Sequence, residues 1–103
     1  MIKHINNKDE FLNEIATGTT FVDFFATWCG PCKMLSPVIE SLDNEGAFGD
    51  IKVVKVDVDE AEAIAMKYGI QSIPTLILFK DGKIANSALG YMGKNDLLKF
   101  IGK

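Results

Sequence analysis

An α/β fold, with a central mixed five-stranded sheet flanked by four helices, is what this sequence predicts. β-branched and aromatic runs alternate with stretches of helical apolar spacing along most of the chain. Parallel strands need crossover helices, and that alternation supplies them. Toward the C-terminal end Asp81-Gly82 separates two strand-like runs, the signature of a two-residue hairpin, so the last two strands are antiparallel. The expected order is β-α-β-α-β-α-β-β-α, in a single domain over residues 1–103.

Each element has its own warrant. Ile2 to Ile5 reads as a short strand, and Asn7 can cap a helix carrying Phe11, Leu12 and Ile15 on one face. Thr17-Gly18-Thr19 ends that helix. Thr20 to Ala26 is apolar with little alternation, as a central strand buried on both faces should be. From Pro31 a helix continues through Met34, Leu35, Val38, Ile39 and Leu42, with Pro31 tolerated in the first turn and Pro37 expected to kink the interior. After a loop at Asp43 to Asp50, Ile51 to Val58 forms a strand. Asp59 is expected to open a helix lined by Ala61, Ile64, Ala65 and Tyr68, which Gly69 closes. Ile73-Pro74 introduces the strand Thr75 to Phe79, and Ile84 to Leu89 returns from the hairpin until Gly90. Leu97, Leu98 and Ile101 give the closing helix its stripe, with Asn95 as the expected cap and Lys99 and Lys103 at its negative end.

Composition narrows the function. With 103 residues and 48% hydrophobic content, the chain can bury a core without staples, so its two cysteines are free for chemistry. A net charge of −3 and the absence of a lysine run argue against nucleic acid as a partner. The N-terminal residues lack the apolar core of a signal peptide and no stretch approaches a membrane span, so a cytoplasmic protein is expected. In a reducing compartment a Cys-x-x-Cys pair is catalytic or metal-binding more often than structural.

The pair itself, Cys29 and Cys32 in Trp28-Cys29-Gly30-Pro31-Cys32-Lys33, stands where an apolar strand gives way to a helix. The spacing suits a reversible disulfide. A thiol at the helix start lies beside unsatisfied backbone N–H groups that favour its thiolate, the nucleophile of disulfide exchange. Competing readings lack partners. Structural zinc needs four ligands, haem attachment needs a histidine where Lys33 stands, and a cysteine-protease reading has only His4, on an N-terminal strand, as base. The acidic run Asp57-Val58-Asp59-Glu60-Ala61-Glu62 lacks the central glycine and closing glutamate of a calcium loop, and a helix N-terminus accounts for it better. No metal site is expected. Asp23 stands among Val22, Phe24 and Phe25, and reads either as a solvent-facing strand aspartate or as a buried acid whose raised pKa suits a general base.

Along essentially its whole length the chain resembles the thioredoxin family. Val22-Asp23-Phe24, the Trp-Cys-Gly-Pro-Cys-Lys segment, Gly69-Ile70-Gln71-Ser72-Ile73-Pro74-Thr75 and Gly90 carry the resemblance. It implies a thioredoxin fold and a thiol-disulfide oxidoreductase that reduces protein disulfides and maintains cell redox homeostasis. By that resemblance Cys29 is the nucleophile, Cys32 the resolving cysteine, Asp23 a buried general base for Cys32, and Lys55 the neighbour that tunes it. It further implies a cis bond before Pro74 and an apolar docking patch of Trp28, Gly30, Pro31, Ile73, Pro74, Leu89 and Gly90 around Cys29. No bound cofactor is implied; NADPH and FAD enter through a thioredoxin reductase, the expected partner alongside disulfide-containing substrate proteins, and a monomer is expected. Gly30-Pro31 places no cation between the cysteines, which favours a reducing potential. The alternative function is a redox-independent binding subunit built on the same fold. Two departures stand out: Phe25 where many members carry a second tryptophan, and Tyr91 where a small residue is common.

Overall fold

The computed structural model describes residues 1–103. The elements are β1 (Ile2–His4), α1 (Lys8–Ile15), β2 (Thr19–Phe25), α2 (Gly30–Asn44), β3 (Lys52–Asp57), α3 (Glu62–Lys67), β4 (Thr75–Lys80), β5 (Lys83–Leu89) and α4 (Lys94–Phe100). They build one five-stranded sheet in the order β1-β3-β2-β4-β5, with β1, β3 and β2 mutually parallel and β4 and β5 antiparallel to their neighbours. The order of elements is the one the sequence predicts.

Strand alternation sorts the core into two layers. Val22 and Phe24 of β2, Val54 and Val56 of β3, and Ile77 and Phe79 of β4 face Phe11 and Ile15 of α1 and Ile64 of α3. Phe21, Val53, Leu76 and Leu78 face the other way, toward Leu35, Ile39 and Leu42 of α2 and Leu97 and Phe100 of α4. Helices therefore cover both faces, which is why β2 shows so little alternation of polar and apolar residues. Asp23 lies on the α2 face with Phe21 and Phe25.

The caps and turns follow their chemistry. Asn7 caps α1, its side-chain oxygen accepting the Glu10 N–H at 2.9 Å. Asp81 and Gly82 take positive φ values of 49° and 83°, the paired left-handed geometry of a two-residue hairpin. The Asp81 carboxylate also accepts the Gly18 N–H at 2.8 Å, clipping the hairpin to the loop before β2.

Three expectations are corrected. Asp59 does not open α3: residues 58–60 form a turn, closed by the Ala61 N–H donating to the Asp57 carbonyl, and the helix starts at Glu62. Asn95 does not cap α4, which begins after Gly93 without any side-chain cap, leaving Asn95 inside its first turn. Met34 leaves the buried stripe of α2 and is exposed, because the stripe runs through Cys32, Leu35, Ile39 and Leu42. Pro37 lies within α2, which continues to Asn44, so it is not a helix stop. No helix is long and apolar enough to cross a membrane.

Candidate active site

Strand β2, central in the sheet, ends at Phe25, and Ala26 to Trp28 turn the chain into α2. Cys29 is the N-cap of that helix: its backbone is extended, and its Sγ accepts the Cys32 N–H at 3.2 Å. Pro31 occupies the first turn, where its missing N–H has no intrahelical acceptor to lose. Cys29 and Cys32 are joined as a disulfide. Both cysteines are nearly closed off by protein, at 5% and 3% exposure, so a partner reaches the sulfur only by seating on the surrounding surface. Once reduced, Cys29 has the helix N-terminus to stabilise its thiolate.

That surface brings together most of the residues expected there. The Ile73-Pro74 peptide bond is cis, and the Ile73 carbonyl oxygen lies 3.8 Å from Cys29 Sγ. Gly90, at φ 90°, donates its N–H to the Pro74 carbonyl at 2.8 Å, which ties the end of β5 to the cis-proline loop. Trp28, Gly30, Pro31 and Leu89 are exposed, Ile73 and Gly90 are half-buried, and Pro74 is buried beneath them. Trp28 and Leu89, at 69% and 70% exposure, are the largest apolar side chains offered to a partner. Tyr91 is exposed next to them in sequence.

Two functional contacts were not visible from sequence. The Trp28 indole N–H donates to the Asp59 carboxylate at 2.8 Å, which fixes the exposed ring. The parallel pairing of Phe25 with Asp57 brings the two residues together, since it carries the segments after β2 and β3 out at the same end of the sheet. The second contact concerns Lys55. Its Nζ donates to Ser36 Oγ at 2.8 Å and lies 4.8 Å from the centre of the Phe25 ring.

Asp23 is fully buried, and neither carboxylate oxygen has a hydrogen-bond partner. Burial pushes its pKa from 3.8 up to about 6, with the Lys55 charge pulling the other way. Lys55 sits opposite Asp23 in the β2–β3 register. A cavity of ≈ 210 Å³ opens beside Lys55, walled in part by Cys32, Ser36 and Phe25. His4 lies exposed on the edge strand, edge-on to Phe25 with ring centres 6.1 Å apart. No three of the histidine, cysteine and carboxylate side chains gather where they could hold a metal ion.

Chemically, the arrangement offers a dithiol at a helix N-terminus, a buried carboxyl that exchanges protons near neutrality, and an apolar rim. Comparison with known proteins agrees. The family model described as Thioredoxin matches residues 2–103. Thioredoxin of Chlamydia muridarum is 48% identical over 99 residues, covering 96% of this chain and 95% of its own. Thioredoxin of Bacillus subtilis is 47% identical over 94 residues, with 90% and 88% covered. Among solved structures, oxidised mitochondrial thioredoxin 3 of Saccharomyces cerevisiae superposes with a TM-score of 0.87 at 39% identity, over 97% of this chain and 92% of that one.

Proposed function

The chain belongs to the thioredoxin family, and on that premise we propose how its residues divide the reaction. It is a thiol-disulfide oxidoreductase with protein-disulfide reductase activity. In the reduced protein the Cys29 thiolate attacks a substrate disulfide: a Cys29–substrate bond forms, the substrate S–S bond breaks, and one substrate thiolate leaves. Cys32 then passes its S–H proton to Asp23 and attacks Cys29 Sγ. The mixed disulfide breaks, the second substrate sulfur departs with its electron pair, and the Cys29–Cys32 disulfide remains. Two electrons have passed to the substrate.

Several features support this division. Cys32 is held one helical turn from Cys29, and intramolecular attack from such a position is worth effective molarities of ~10⁵ to 10⁸ M, which keeps the mixed disulfide short-lived. Asp23, with a pKa of about 6 and unpartnered oxygens, is matched to accepting a thiol proton near neutrality, and Lys55 moderates it. Gly30-Pro31 adds no cation to stabilise the thiolate further, which favours service as a reductant. Trp28, Gly30, Pro31, Ile73, Pro74, Leu89 and Gly90 form the surface on which an extended substrate segment docks.

The chain works as a monomeric electron carrier in the cytoplasm, holding no cofactor of its own. A flavin-containing thioredoxin reductase returns it to the dithiol with electrons from NADPH. The observation that carries this reading is the Cys29–Cys32 disulfide at the N-terminus of α2. A coupled assay with thioredoxin reductase, NADPH and a protein disulfide tests it. The native chain should sustain NADPH oxidation and Cys29→Ser should fall to background; comparable turnover by both would refute it.

A further inference from the structure

We propose that Ser36 is a positioning residue for the resolving step: its hydroxyl holds the Lys55 ammonium off the Asp23 carboxyl and leaves both carboxyl oxygens open to the proton of Cys32. This rests on the reading of Asp23 as proton acceptor. Asp23 and Lys55 are register partners on adjacent parallel strands, so alternation points both side chains to the α2 face. Opposite charges so placed in a buried setting attract strongly and would ordinarily close into an ion pair. Here they do not. Lys55 donates instead to Ser36 Oγ at 2.8 Å, its ammonium lies over the Phe25 ring, and Asp23 keeps two unpartnered oxygens.

Ser36 is where it can do this because it follows Cys32 by four residues, one turn along the same helix face. Cys32, Ser36 and Lys55 consequently share the wall of the ≈ 210 Å³ cavity, which sets the hydroxyl and the ammonium beside the resolving cysteine. The other titratable and charged groups around the pair come from β1, α2 and β3. His4 of β1 pairs with Lys55, Lys33 of α2 lines the same cavity, and Asp57 follows Lys55 on the same face of β3, while β4 sets only Leu76 opposite Asp23. Asp57 already accepts the Asp59 N–H at 2.9 Å. Of the two carboxyls, Asp23 is the one directly opposite Lys55 in the β2–β3 register and without any partner, so it is the acceptor to which a released Lys55 turns.

The test follows the Asp23 side-chain carboxyl carbon by NMR titration of the full oxidised chain. In Ser36→Ala the titration midpoint should move down by about one pH unit, the effect of an opposite charge closing on a carboxylate. Ser36→Thr, which keeps the hydroxyl, should hold the native midpoint. With Lys55→Met already in place, Ser36→Ala should add no further shift. A midpoint in Ser36→Ala that stays or rises, a threonine variant that shifts as far as alanine, or an undiminished shift without Lys55 would each overturn the proposal. Rates of mixed-disulfide resolution across pH separate this idea from the one beneath it: the acid limb should follow the NMR midpoint downward. If the midpoint moves and the rate profile does not, Ser36 holds Lys55 as stated and Asp23 is not the proton acceptor.

Discussion

Replacing Asp23 with alanine should stabilise the chain at alkaline pH and lose most of that advantage in acid. The folded carboxyl binds its proton more tightly than the unfolded one, so ionisation opposes folding. With the pKa raised from 3.8 to about 6, and each tenfold change in proton affinity worth about 1.36 kcal/mol, the penalty reaches about 3 kcal/mol at pH 8. It vanishes below 3.8, where both states are protonated, grows between 3.8 and about 6, and then levels off. At pH 4 only about 0.5 kcal/mol of it remains. Removing the side chain also changes packing, but that contribution is the same at both pH values. The stability difference between variant and native chain should therefore be about 2.5 kcal/mol more favourable to the variant at pH 8 than at pH 4. Urea unfolding of both oxidised proteins measures it, as a relative midpoint change of about 1 to 2 M. A difference that is flat across this range, or that favours the variant more in acid, would refute the assignment of Asp23 as a destabilised buried acid.

In the reduced chain Cys29 should be alkylated far faster than Cys32 at neutral pH, because only Cys29 occupies the helix N-cap; peptide mapping after limited iodoacetamide treatment decides it, and equal rates would count against the assigned roles. Leu89→Asp should raise KM for a protein disulfide several-fold by placing a charge on the exposed apolar rim, and steady-state kinetics showing an unchanged KM would remove Leu89 from the docking surface. Gly82→Ala should cost about 1 to 2 kcal/mol in a denaturant titration, since it forces a Cβ into the left-handed turn at φ 83°, and no loss would contradict the hairpin geometry.

The sheet and its topology were legible because β2 and β3 are rich in β-branched and aromatic residues on both faces, with little polar alternation, and because Asp81-Gly82 has one common use between strands. The cysteine site was legible because Trp28 to Lys33 concentrates its chemistry in six consecutive residues. What escaped depends on residues distant in sequence. Ser36 reads as an ordinary helix serine until the register brings Lys55 to it, and Asp59 reads as a helix start until Trp28 reaches across to take it. Asn95 has the composition of a cap, yet the chain enters α4 at Gly93, so propensity gave way to the path set by packing Leu97 and Phe100.

The division of labour between the two cysteines is the centre of the account, and trapping of the reaction intermediate tests it most directly. Incubated with a disulfide-bonded protein substrate, reduced Cys32→Ser should accumulate a covalent complex with the mass of chain plus substrate on non-reducing mass spectrometry, because Cys29 can attack and nothing resolves the product. Cys29→Ser should form none, and the native chain only a trace. A complex formed by Cys29→Ser, or none formed by Cys32→Ser, would contradict it.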